Sequence, residues 1–151
     1  MSSSPSLSRR TPGLSQRSAI DVATILRTIG ALALLAMGVI HLQQYLGADY
    51  SAIPTIGTLF LLNFAGALVL SIALLGPIER IAGRGVASLV AAAGAAMAAT
   101  SIAFLLISEH TALFGFREAG YGPAIVLALA VEAVAVVALV SFLLVRRSTE
   151  R

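Results

Sequence analysis

Residues Pro123–Arg147 read PAIVLALAVEAVAVVALVSFLLVRR: twenty-three positions with a single charge, Glu132, followed by two arginines. At ~1.5 Å per residue a helix over those positions reaches about 34 Å, enough to cross a ~30 Å hydrocarbon core. Pro123 suits the first turn of a helix, where its missing N–H would have no partner anyway. Arg146 and Arg147 end the span as headgroup anchors.

Working back from that run, three more segments read the same way. Thr28 to Ala48 carries no formal charge, a stretch of about 21 residues. Ser18 and Asp21 stand at capping-box spacing and predict a helix start near Ala19, with Arg27 snorkelling to the headgroups. Asp49-Tyr50-Ser51 makes a polar turn and Pro54 opens the second helix, which Gly76-Pro77 ends. Glu79, Arg80 and Arg84 form a short charged loop with Gly83 and Gly85, and the third helix follows. A Phe- and Tyr-rich loop from Glu109 to Gly122 leads to Pro123.

The sequence therefore predicts an all-α protein, an integral membrane four-helix bundle with helices over about 19–46, 54–75, 86–108 and 123–145. The transmembrane domain spans 18–147. A Ser-, Pro- and Arg-rich disordered cytoplasmic tail covers 1–17, and a short cytoplasmic tail covers 148–151. The first apolar run is longer than a signal-peptide core and no small-x-small cleavage site follows it, so it reads as an anchor. Ser8-Arg9-Arg10 lacks the large apolar residues expected after a twin-arginine signal.

Hydrophobic residues make up 58% of the chain and charged residues 11%, so lipid is the expected solvent. The absence of cysteine excludes disulfides, thiolate metal sites and thiol redox chemistry. Every basic residue is arginine and alanine abounds, usage that predicts a high-GC bacterial plasma membrane. Arg9, Arg10, Arg17, Arg27, Arg80, Arg84, Arg146, Arg147 and Arg151 fall on one side and Arg117 alone on the other. The positive-inside rule then places both termini in the cytoplasm, with Tyr45, Tyr50, Phe114, Phe116 and Tyr121 at the outer interface. Nucleic acid is not an expected partner, because no soluble domain presents a basic face. The expected partners are the lipid bilayer and either further copies of the chain or another membrane protein.

Helix contact in lipid relies on small residues. In the third helix Ala87, Ala91, Ala95 and Ala99, flanked by Ser88, Ala92, Ala96 and Thr100, predict a wide packing face. Gly66 and Ala67, Gly30 and Gly38, and Ala124, Ala128 and Ala135 supply small residues on the other helices.

Glu132 is the main anomaly, since a mid-span carboxylate costs on the order of 3 kcal/mol to insert. Two readings stand. It is a neutral partner hydrogen-bonded to another helix, or it is a proton- or cation-binding site. Asn63 and Glu132 each lie nine residues from a helix-opening proline, about 13 Å below the outer ends, and His41 lies about 7 Å below. His41, Asn63 and Glu132 are therefore predicted to form a polar intramembrane cluster, extended outward by Gln44 and Tyr45. Alternatively His41 is an interfacial histidine bonded to backbone. Glu109, His110, Arg117 and Glu118 form an outer-face charged group that reads as a solvated rim. No cofactor is predicted, and no metal, because the histidines lack His-x-x-His or Glu-x-x-His spacing. Nucleophile elbows, phosphate loops and helical zinc motifs are absent.

The stretch Ile53–Asn63, IPTIGTLFLLN, with Phe114–Tyr121, FGFREAGY, resembles a group of uncharacterised small four-span membrane proteins of high-GC Gram-positive bacteria. The resemblance extends from the first helix to the fourth and implies the fold without an activity. A more remote likeness to DoxX-like four-helix proteins rests on architecture. The first functional expectation is a non-enzymatic accessory subunit or assembly component. The alternative is a small oligomeric proton-coupled carrier using Glu132, and a third is an outer-face redox or lipid-modifying enzyme.

Overall fold

The computed structural model describes residues 14–117, 120 and 122–149, with side chains from Val22 onward. The elements are α1 (Leu14–Gly47), a 3-10 turn (Tyr50–Ala52), α2 (Pro54–Leu75), α3 (Ile78–Ile81), α4 (Arg84–His110) and α5 (Pro123–Thr149). Among the described residues there is no strand, and four helices are long and apolar enough to cross a membrane.

Two helix limits differ from expectation. α1 begins at Leu14, so Ser18 lies inside the helix and does not cap it. The strongest upstream breaker in the sequence is Pro12-Gly13, and an interior serine costs a helix only a few tenths of a kcal/mol. Residues 1–13 of the expected tail lie outside the described residues. α5 runs on to Thr149, since no Gly or Pro follows Pro123 and arginine is a good helix former. The charged loop contains an additional helical turn, α3, on which Glu79 sits.

α1 lies along both α2 and α5, and α4 lies along α5. α2 meets α4 over a shorter stretch, while α2 and α5 face each other diagonally without contact. Close approach depends on glycine. A Cβ on Gly38 would stand 2.9 Å from the Ala67 Cβ of α2, and one on Gly94 would stand 2.6 Å from Leu34 Cδ1 of α1. Leu34, Met37, Leu74, Leu139 and Phe142 fill the core around these contacts and are fully buried.

The small face of α4 is only partly the expected one. Ala87, Ala91 and Ala95 are buried, but Ala92, Ala96, Ala99 and Thr100 are exposed, and burial passes to Gly94, Ala98 and Ser108. Four residues turn a helix by about 400°, so a four-residue stripe drifts about 40° per step off a fixed face. A mixed spacing of three and four keeps to the neighbours.

The two ends of the bundle differ. At the end carrying Arg27, Arg80, Arg84, Arg146 and Arg147, Glu79 Oε1 accepts from Arg146 Nη1 at 2.9 Å and lies 3.6 Å from Arg27 Nη1. Arg27 is thus directed at an ion pair, where a headgroup anchor was expected. Arg146 also stacks over Phe142, at 5.2 Å from the ring centroid. At the other end, Leu113 and Phe116 exchange both backbone hydrogen bonds across Phe114-Gly115, and both central residues have positive φ. That is the type I′ geometry, which glycine adopts freely.

Candidate functional site

Histidine 41 is set by its own helix. Its Nδ1 lies 2.9 Å from the Met37 carbonyl oxygen one turn earlier. A carbonyl only accepts, so Nδ1 carries a proton and, in the neutral ring, Nε2 is the acceptor. That nitrogen faces away from α1, 3.3 Å from Ser101 Oγ of α4 and 3.9 Å from Glu132 Oε1 of α5. Ser101 stands at the same place as the Glu132 carboxyl. Three helices thus converge on one polar knot, in which the Glu132 carboxyl is 2% exposed.

The knot forms part of the wall of a cavity of about 360 Å³ in the half of the bundle away from the arginine end. All four long helices contribute to its lining. Gln44 and Asn63 line it, and Asn63 Oδ1 is buried without a hydrogen-bond partner. The rest of the wall is largely apolar, with Phe60, Phe104, Ile125 and Ala128 among its residues. Phe60 packs at 4.9 Å from the His41 ring and stacks on Tyr50 at 4.7 Å, and Tyr50 meets the edge of Phe116 at 5.6 Å. Leu62, Thr100 and Phe104 line the cavity and are also exposed on the outside of the bundle, so it reaches the surface between α2 and α4.

Of the residues expected in the cluster, His41 and Glu132 lie side by side. Asn63 and Gln44 share their cavity. Tyr45 turns elsewhere: its ring edge lies 3.3 Å from where a Gly57 Cβ would stand, against the first turn of α2. Ser101 is a member that sequence reading missed. Its signal was a seven-residue spacing from Gly94 and to Ser108, two turns in either direction on one face.

The charged group expected at Glu109, His110 and Arg117 stands apart from the cavity. Arg117 Nε donates to the Glu109 carbonyl at 3.3 Å, and His110 is exposed at the end of α4. None of these three lines the cavity, and Glu118 lies outside the described residues. His41 and His110 are not brought together as a ligand pair. Among the described residues no group of three His, Cys, Asp or Glu side chains could hold a metal ion.

The arrangement can hold a molecule with an apolar body against the aromatic and aliphatic wall and a polar group at the knot. Ser101 Oγ and the acceptor nitrogen of His41, 3.3 Å apart, both line the cavity. No protein-family model, curated protein or solved structure matches the chain.

Proposed function

We propose that this chain is a multi-pass protein of a bacterial plasma membrane, with both termini cytoplasmic, that acts without catalysis as an accessory subunit by binding an amphiphilic small molecule. The observation that carries the reading is the cavity, apolar over most of its wall, polar at one patch and reaching the bundle surface between two helices. Ligand sites of about 300–1,000 Å³ with few polar groups are the usual form of small-molecule sites. An opening between α2 and α4 admits a ligand from the lipid phase, where an amphiphile is already concentrated and oriented.

The nine-to-one arginine asymmetry supports the orientation, which puts the cavity in the outer leaflet. A reporter fused after Arg151 is expected to read as cytoplasmic and one inserted at Asp49 as external. The opposite pattern at either site removes the outer-leaflet placement. The binding reading is tested by mass spectrometry of small molecules that co-purify in mild detergent. An amphiphile retained by the natural chain and lost from Ala128→Phe, whose new ring would fill the cavity, is the expected result. Equal recovery from both proteins overturns it.

A second reading, an oligomeric proton-coupled carrier, draws on the His41–Glu132 contact beside the cavity. It requires substrate uptake in vesicles that follows an imposed proton gradient and stops with Glu132→Gln. The accessory role requires binding without uptake.

A further inference from the structure

The polar patch of the cavity carries one carboxyl group and no arginine. The Met37 carbonyl consumes the Nδ1 proton of His41 and leaves Nε2 as an acceptor. Glu132 offers carboxylate oxygens, and Asn63 Oδ1 is an acceptor buried with no partner. Ser101 has one hydroxyl proton, and its oxygen lies 3.3 Å from His41 Nε2. On α1, α2, α4 and α5, the charged and titratable side chains that line the cavity are His41 and Glu132, with no arginine among them. The amides of Asn63 and Gln44 bring donors as well as acceptors, but the ionised form of Glu132 has no guanidinium among the residues that line the cavity to balance its charge. The wall just beyond has Phe60 against His41 and Tyr50 stacked on Phe60.

We propose that the ligand head is a protonated primary or secondary amine on an apolar body, its N–H groups donating to Glu132 and Asn63. This assignment rests on the reading of the cavity as an amphiphile site and names the chemistry that the site would select. An anionic head, such as a carboxylate, would set its charge against that of ionised Glu132. A quaternary ammonium would bring charge without N–H donors.

The test uses the full chain in nanodiscs of zwitterionic lipid and four probes with one tail: decylammonium, decyltrimethylammonium, decanol and decanoate. Binding is measured by calorimetry as the excess over the Ala128→Phe chain in the same lipid, so that partition into the bilayer cancels. Decylammonium is expected to bind at least about tenfold more tightly than decanol, the value of one charge-assisted hydrogen bond, with decanoate weakest. The quaternary probe is expected to fall between decylammonium and decanol. In Glu132→Gln the decylammonium affinity should drop to that of decanol while decanol itself changes by less than about twofold. If decanol or decanoate equals decylammonium, and all depend on an unfilled cavity, the amine assignment fails and the amphiphile site stands. Equal binding by the quaternary probe also overturns the assignment. If no probe distinguishes the natural chain from Ala128→Phe, the amphiphile site itself fails. Unchanged elution and melting of Ala128→Phe, checked in parallel, keep that comparison valid.

Discussion

The two halves of this bundle use the same four helices to opposite ends. Toward the arginine end, Leu34, Gly94, Leu139, Leu74 and Phe142 belong to one buried core, and Glu79 ties α3 to Arg27 and Arg146. Toward the aromatic end, α2 and α5 stay apart, and the space between them carries His41, Asn63 and Glu132. In lipid, helix contact comes from van der Waals packing of small residues, and polar groups tolerate the interior only where they find partners. The glycines and alanines that close one half are set so that the other remains open. Tight packing in the first region is what allows a polar cavity in the second to persist.

The largest expected effect comes from breaking the closed half. Phe142→Ala removes a fully buried ring and the surface on which Arg146 rests, and is expected to lower stability by about 3 kcal/mol or more. Phe104→Ala, on the cavity wall and partly exposed, should cost less than about 1 kcal/mol, because it opens a space that already exists. Thermal or denaturant unfolding of the purified proteins checks the pair. Equal losses would mean that the two halves are packed alike.

A smaller effect tests where the helices touch. Gly38→Ala places a methyl group 2.9 Å from the Ala67 Cβ and 3.4 Å from the Phe64 carbonyl, neither of which is the end of a flexible side chain. A loss of about 1–3 kcal/mol is expected from overpacking. Gly85→Ala meets nothing within 4 Å and should stabilise the helix by up to about 1 kcal/mol. The same unfolding assay reads the opposite signs, and a shared sign would remove the proposed contact between α1 and α2.

The smallest effect sharpens the polar half. A double-mutant cycle between His41→Ala and Ser101→Ala should give a coupling of about 0.5–1.5 kcal/mol, the range of interhelical hydrogen bonds in membranes. A cycle between Glu132→Gln and Asn63→Ala should give a value near zero, because Asn63 lines the same cavity without bonding to Glu132. The reverse order of couplings would relocate the knot from α4 to α2.

Much of this architecture could be read from residues alone. The four apolar runs, the helix-opening prolines Pro54 and Pro123 and the anomaly at Glu132 are local properties: length, hydropathy and residue type within one segment. Such properties need no partner to be recognised. The depth argument also placed Asn63 and Glu132 in the same layer, and both line the cavity.

Rotation about the helix axes was a different matter, and only the packed structure decided it. Depth follows from counting residues at a fixed rise, but the direction a side chain faces depends on how each helix is turned against its neighbours. A drift of about 40° for every four residues moved the small face of α4 from Ala99 to Ala98, and turned Ser101 toward His41. The same geometry sent Tyr45 to Gly57 instead of the knot and left Asn63 facing open space. The sequence by itself thus determined that there are four long apolar helices, roughly where each lies and at what level their polar residues stand. Which of those residues meet was decided by the close approaches at Gly38 and Gly94, because contacts between helices are set by small residues far along the chain from the groups they bring together.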